Sequence, residues 1–278
     1  MKKIHSMIMI IVIIFISVSC NRSESNDDVI FDVKLSYGID IVSGNEEDAL
    51  LAERFEFNKK DWKEKKLTEK SIKEMPFDYW DVYLENDKVM VATALYYNRF
   101  RFDTDNGYFL SKNCGEHGGK IDFIGNDGTS YTILNCNPLH MFSINGDIYL
   151  LEGLLHMSTT RGSLYKLTNT EEKWEGKKIA DIGGKPIAFT IDKGNIYIIA
   201  DSINFEYEEG RFLYDERDYK ILKVLISEED TEVQILTRAI TLYANSMVKK
   251  DNMLYIGLTV GLATVDLNNN KVRFYVKR

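Results

Sequence analysis

The chain is poor in the residue patterns that carry chemistry. It has no Gly-x-Ser-x-Gly elbow, no His-Glu-x-x-His, no Cys-x-x-Cys, no Walker loop, no Gly-x-Gly-x-x-Gly and no Ser-x-Asp-x-Gly-x-x-Trp box. Support for serine-hydrolase, zinc-peptidase, dithiol and nucleotide chemistry is therefore missing. Histidine is scarce, with four in 278 residues. Of these, His140 and His156 flank one predicted hairpin without a carboxylate motif beside them, so they read as structural residues. The run Asp103-Thr104-Asp105-Asn106-Gly107 begins like a calcium loop but lacks its later acidic ligands, and a strand-to-strand turn accounts for it. The expectation is a chain with no cofactor, no metal and no catalytic residues, more a binding protein than an enzyme.

Positive charge is also in short supply. Lys and Arg number 35 against 43 Asp and Glu, a formal charge of −8. Without a basic stripe, such a surface repels a phosphate backbone, which argues against nucleic-acid partners. Cationic partners or a basic protein surface are electrostatically easier, and acidity for solubility alone remains open.

What is present begins at the N-terminus. Lys2 and Lys3 precede an unbroken apolar run from Met7 to Ile16, then Ser17-Val18-Ser19 and Cys20. That is the order of a secretory signal, and the run is shorter than the roughly 20 residues of a membrane-spanning helix. An uncleaved anchor is the alternative. The segment Phe15-Ile16-Ser17-Val18-Ser19-Cys20 resembles the bacterial lipobox, with Ser17 where that motif usually has Leu. The resemblance implies a signal peptide over 1–19, a diacylated Cys20 and a membrane anchor, since acyl chains contribute about 0.8 kcal/mol per buried CH₂. Losing Lys2 and Lys3 takes the formal charge from −8 to −10. Residues 20–28 read as the lipidated Cys and a polar tether. Asn21 in place of an inner-membrane-retention Asp points to the outer membrane, facing the periplasm or the cell surface.

With Cys20 given to lipid, Cys114 and Cys136 form an even pair in an oxidising compartment. A predicted hairpin, Ile121–Ile124 with Ser130–Leu134 about Asn126-Asp127-Gly128, lies between them and would bring its ends together for a disulfide. Closing such a loop stabilises by roughly 3 kcal/mol. Two buried free thiols are the alternative.

Residues 29–278 form one all-β domain by pattern. A hairpin recurs four times: Asp81–Thr93, Met141–Gly153, Phe189–Asp201 and Ser246–Leu258. Its turns are Asn86-Asp87, Asn145-Gly146, Lys193-Gly194 and Asp251-Asn252, residues that tolerate positive φ. Val82 and Met90, Phe189 and Tyr197, and Met247 and Tyr255 sit eight apart; Phe142 and Tyr149 sit seven apart, which reads as a one-residue deletion in the second turn. Third strands follow at Arg99–Phe102, Ser163–Leu167, Tyr219–Val224 and Leu262–Leu267. Fourth strands follow at Tyr108–Lys112, Lys177–Ile182, Glu232–Thr237 and Lys271–Val276. Four short antiparallel strands repeated in this way are the signature of propeller blades, which bury their faces by radial stacking. Residues 185–201 (KPIAFTIDKGNIYIIAD) resemble the NHL-type propeller repeat, and 252–275 resemble the repeat of sensor-type periplasmic propellers. The implied fold is a β-propeller-like domain of four to five four-stranded blades; a β-sandwich is the alternative. Val29–Leu35 and Arg54–Phe57 look like strands, and Asp61–Glu74 like a charged helix or loop. An N-terminal strand completing the last blade is one way to close the ring.

The segment Ser202–Asp218 (SINFEYEEGRFLYDERD) stands out as an insertion between second and third strands. It interleaves Phe205, Tyr207, Phe212 and Tyr214 with carboxylates, and Phe205, Tyr207, Arg211, Phe212, Tyr214, Asp215 and Glu216 are the candidate partner-binding residues. Long connections on a rigid scaffold concentrate binding, and aromatics supply contact area at low entropic cost. A packed, extended hairpin accounts for the same alternation. Tyr96-Tyr97-Asn98-Arg99 and His156–Arg161 occupy the corresponding connection in the first two units. The expected function is a membrane-anchored envelope module that binds another protein, one specific form being an immunity-type inhibitor of an envelope-directed toxin; a scaffold subunit of an envelope machine is a third class. A glycan-binding or glycan-processing surface lipoprotein is the competing class.

Overall fold

The structure, a computed structural model, describes residues 33–35, 37–41, 54–66, 80–93, 97–157, 159–170, 173–208, 211–227, 230–238 and 244–278. The export signal, Cys20 and the tether lie outside the described residues. Among the described residues no helix is long and apolar enough to cross a membrane.

The described chain is all β. Its first strands are β1 (Val33–Leu35), β2 (Tyr37–Ile41), β3 (Arg54–Glu56) and β4 (Trp62–Lys65). Then come β5 (Trp80–Glu85), β6 (Lys88–Thr93), β7 (Tyr97–Thr104), β8 (Gly107–Asn113), β9 (Gly119–Gly125) and β10 (Ser130–Leu134). The middle of the chain gives β11 (Pro138–Ile144), β12 (Asp147–His156), β13 (Thr159–Asn169), β14 (Trp174–Asp181), β15 (Lys185–Asp192), β16 (Asn195–Glu208), β17 (Arg211–Ile226) and β18 (Thr231–Arg238). The last four are β19 (Ala244–Lys250), β20 (Met253–Leu258), β21 (Leu262–Asp266) and β22 (Lys271–Lys277).

These strands make five antiparallel sheets: I (β3-β6-β5), II (β10-β9-β8-β7-β2), III (β1-β11-β12-β13-β14), IV (β15-β16-β17-β18) and V (β19-β20-β21-β22-β4). Two packed sheets, as in a sandwich, are not what forms. Phe100, Phe109 and Phe123 of sheet II meet Met141, Ile148 and Leu150 of sheet III. Phe142, Tyr149 and Leu151 of sheet III meet Ile196, Ile198 and Leu222 of sheet IV. Tyr197, Ile199 and Ile221 of sheet IV meet Met247, Leu254 and Ile256 of sheet V. Trp80, Val82 and Val91 of sheet I meet Val248, Leu262 and Tyr275 of sheet V, with Trp62 between them. Because side chains alternate along a strand, a sheet with neighbours on both faces is apolar at successive positions. The run Ile196-Tyr197-Ile198-Ile199-Ala200 is buried throughout for this reason.

The four recurring hairpins form where the sequence places them, and each closes on two residues: Glu85 pairs Lys88, Ile144 pairs Asp147, Asp192 pairs Asn195 and Lys250 pairs Met253. Asn86, Asp87, Asn145, Gly146, Lys193, Gly194 and Asp251 have positive φ, as a tight hairpin demands. No residue is deleted from the second turn. Phe142 faces Tyr149 directly, whereas Phe189 faces Ile198 and Met247 faces Ile256. The equivalent of Phe189 is therefore Met141, one position earlier, and it is fully buried.

Two further expectations are corrected, and one is met. The strands after the first hairpin, β7 and β8, leave sheet I and join β9 and β10, so the hairpin expected to carry the disulfide is part of a full sheet. Sheet I is completed by β3, whose Phe55 pairs with Val91. The segment from Asp61, expected as a charged helix or loop, contains β4, where Trp62 is buried while Lys63 and Glu64 are exposed. An N-terminal strand does complete the last sheet: β4 runs antiparallel to β22, pairing Trp62 with Lys277 and Lys65 with Phe274.

Candidate interaction rim

The candidate face is the edge at which the second strand of each sheet hands over to the third. In sheet II that handover is a 3-10 turn, Gly115–His117. In sheet III it is the short link from His156 to Thr159, and in sheet IV it is the Ser202–Asp218 segment. The last is not a loop: β16 continues to Glu208 and β17 starts at Arg211. Phe205 pairs with Tyr214, Tyr207 with Phe212, Glu206 with Leu213 and Glu208 with Arg211. Opposed positions share a face, and a strand alternates with period two. Positions 205, 207, 212 and 214 therefore lie on one face of the ribbon and 206, 208, 211 and 213 on the other; positions 215 and 216 follow on β17. The side chains of 204–216 lie outside the described residues.

The ribbon outruns its sheet. The inner strand β15 pairs only as far as Lys185 with Asp201, and the outer strand β18 only as far as Arg238 with Lys220. Beyond those points, among the described residues, the two ribbon strands pair with each other alone. Ser202 Oγ donates to the Asp218 carbonyl at 3.0 Å, and Ile203 N donates to Thr160 Oγ1 at 3.4 Å, tying the ribbon root to sheet III. The seam below is glycine-lined: a Cβ on Gly162 would overlap the Gly184 carbonyl oxygen, so the two sheets approach closely there.

Two buried carboxylates sit under this rim, and the sequence signalled neither. Glu152, in the middle of β12, is 3% exposed, and its Oε2 has no hydrogen-bond partner. Arg161 Nε of the next strand stands 3.6 Å from it, and Arg161 Nη2 donates to Asn137 Oδ1 at 2.6 Å. Asn137 Nδ2 in turn donates to the Gly115 carbonyl at 2.6 Å, joining sheet III to the 3-10 turn of sheet II. Asp201, at the end of the three-strand part of β16, is 0% exposed and neither carboxylate oxygen has a hydrogen-bond partner. Arg217 Nη1 is 4.0 Å away. Burial pushes the Asp201 carboxyl up to about 6, against the opposing pull of Arg217 and Lys185. Burial likewise lowers the Lys185 ammonium.

The histidines separate. His156 is ion-paired with Glu116, and His117 Nε2 is 3.3 Å from the same carboxylate. His140 lies on β11 against the Phe189 ring, 4.8 Å between centroids, and burial pushes it down to about 4. No group of three or more His, Cys, Asp or Glu side chains converges on a metal position among the described residues. Asp103 to Gly107 form the β7–β8 turn, with Thr104 Oγ1 donating to the Gly107 carbonyl at 3.1 Å. Tyr97 to Arg99 open β7 and so start a new sheet; they do not link second and third strands of sheet I.

Both thiols are free in the structure, where the sequence led us to expect a bond between them. The intervening hairpin forms, and it draws Cys114 and Cys136 to the two sides of one glycine pair: Cys114 N donates to the Gly118 carbonyl at 2.7 Å and Cys136 N to the Gly119 carbonyl at 3.1 Å. Their environments differ, however. Cys114 is exposed beside the 3-10 turn, while Cys136 is buried and its thiol is pushed up to about 12 by burial, with the Glu152 charge adding to the rise.

No family model matches this sequence, and no curated protein matches it. Among solved structures, a point mutant of the Synechocystis apocarotenoid oxygenase is similar over 73% of this chain and 50% of its own, at 8% identity and a TM-score of 0.32. The chain thus spans half the length of that neighbour, and so low a score leaves the reading of the rim to its own residues.

Proposed function

We propose that this chain is a lipid-anchored envelope protein whose five sheets close into a propeller-like ring and whose rim binds another protein through the 202–217 ribbon. The ring is supported by the order of the sheets. Sheet I holds the first of the recurring hairpins yet packs against sheet V, which holds the last, so the succession II-III-IV-V-I is the order of the hairpins taken cyclically. The anchor is supported by the signal-like run ending at Cys20.

The observation that carries the binding reading is the ribbon itself: two strands that continue past their sheet and set four aromatic positions on one face. Structure that serves only the core has no reason to leave it, whereas a projecting hairpin offers a face and two backbone edges to a partner. Residues 202–218 carry six carboxylates and two arginines, which favours a basic partner surface. The test is capture from envelope extract by the full chain in detergent, compared with a Phe212→Ala/Tyr214→Ala double variant. We expect the captured partner to be lost with a normal circular-dichroism spectrum; undiminished capture would remove the ribbon as the contact. Acyl labelling of the wild type and Cys20→Ala checks the anchor, and equal labelling of the two would exclude it.

A further inference from the structure

Asp201 closes the last rung at which sheet IV is more than a ribbon. It pairs with Lys185 on one side and Tyr219 on the other, and the next rung, Ser202 with Asp218, has no β15 residue. Its carboxylate is wholly enclosed and neither oxygen is hydrogen-bonded, although native structures satisfy nearly all buried polar side chains. Two cations face it among the described residues. Lys185 faces it from β15 and Arg217 from β17, where Arg217 Nη1 also donates to the Tyr219 hydroxyl at 3.3 Å. Asp218 is occupied by Lys220 at 3.2 Å. From sheet III, Thr160 takes the Ile203 amide, and Arg161 is engaged by Glu152 and Asn137. An ionised carboxylate held in this position is shut off from solvent, and Arg217 reaches it only at 4.0 Å. A protonated one bears no charge and costs less to hold there.

We propose that Asp201 is a proton-operated latch at the root of the ribbon: ionised, it loosens the junction between the four-stranded part of sheet IV and the two-stranded ribbon, and protonated, it closes that junction. The proton comes from bulk water and returns to it. When ionised, the carboxylate gains by drawing Arg217 in from 4.0 Å or by admitting water, and either movement disturbs the rungs that begin the ribbon. The carboxyl is raised from 3.8 to about 6, so the closed state gains as pH falls through that window. The latch requires no partner, so it stands or falls separately from the reading of the ribbon as a docking element.

The experiment is hydrogen exchange of the full chain between pH 5 and pH 8, corrected for the intrinsic pH dependence of exchange. In the wild type, protection of the 202–217 amides should rise about tenfold from pH 8 to pH 5, because a carboxyl that titrates at about 6 in the closed state and at 3.8 in the open one favours the closed state by about that factor at pH 5. In Asp201→Asn that pH dependence should vanish, and in Asp218→Asn it should persist with the same midpoint. Flat protection in the wild type, or an unchanged midpoint in Asp201→Asn, would overturn the proposal. A carbon-13 titration of the Asp201 carboxyl in the wild type covers a variant that does not fold: a midpoint near 6 supports the latch, and one below 5 refutes it.

Discussion

Replacing Trp62 by Ala tests how the ends of the chain are held together. Trp62 is 2% exposed and lies among Phe55, Phe57 and Trp80, with ring centroids 6.2, 5.9 and 5.6 Å away. It is also the residue by which β4, paired to β22, reaches the core between sheets I and V. A buried Trp hides roughly 150–250 Å², which at about 25 cal/mol per Å² is worth about 4–6 kcal/mol. Denatured chains already bury roughly 10–40% of such surface, which brings the figure to about 2–5 kcal/mol, overlapping the range of about 3–5 kcal/mol measured for Trp or Phe truncations. The indole Nε1 has no hydrogen-bond partner. Trp62→Phe removes that orphaned donor, worth about 1–3 kcal/mol, and keeps most of the ring contact, so it should cost less than about 1.5 kcal/mol. Urea unfolding followed by far-ultraviolet circular dichroism measures both, because that signal does not depend on the tryptophan removed. The expected result is a lower midpoint with an unchanged slope for Trp62→Ala and a near-native midpoint for Trp62→Phe. A loss below about 1 kcal/mol for Trp62→Ala, smaller than any core truncation of this size, would refute the placement of β4.

Other substitutions probe other links. Gly162→Ala should destabilise by about 2 kcal/mol or more, because its Cβ meets backbone that cannot rotate away; an unchanged melting temperature would mean that sheets III and IV are not seated as described. His140 is held below its ordinary 6.5, at about 4, by burial, so its neutral form stabilises the fold above pH 6.5 and that contribution is lost as pH falls towards 4. His140→Phe should therefore be less acid-labile than wild type in that window, and identical acid curves would count against a neutral, half-buried His140. Iodoacetamide at pH 8 should label Cys114 in the native protein and Cys136 only after unfolding; a non-reduced mass two hydrogens light would show instead that the two are bonded.

The sequence foretold the four hairpins and their turns because both signals are local. Alternation sets the strands, and Asn-Asp, Asn-Gly and Lys-Gly pairs supply positive φ where the chain must reverse. What it misassigned was membership. Nothing in Tyr97–Asn113 says that these strands leave the first hairpin, since a link of three residues looks alike within a sheet and between sheets. Phe142 was matched to Phe189 by chemistry, while turn length, not residue type, is what the repeat preserves. The strand at Trp62–Lys65 hid behind its charge: it buries one side chain, and three lysines and glutamates read as solvent. At the rim, the aromatic–acidic alternation of 202–218 was visible, and the paired ribbon was the plainer of its two readings. Glu152 and Asp201 were invisible as buried acids, because each ends an apolar run where a polar residue usually marks the surface.

The clasp of β4 on β22 bears on time as well as on stability. Residues 62–65 are made early and must wait for residues 271–277, the last described strand to leave the ribosome, before their edge is paired. Until then sheet V lacks its outer strand and the apolar faces of sheets I and V lack each other. Most contacts elsewhere lie within single sheets and can form as synthesis proceeds, but this one spans about the whole described chain, and contacts of such separation fold slowly. A chain that has not yet added β22 thus leaves the Trp62–Trp80 cluster without the seven-residue strand that pairs with β4.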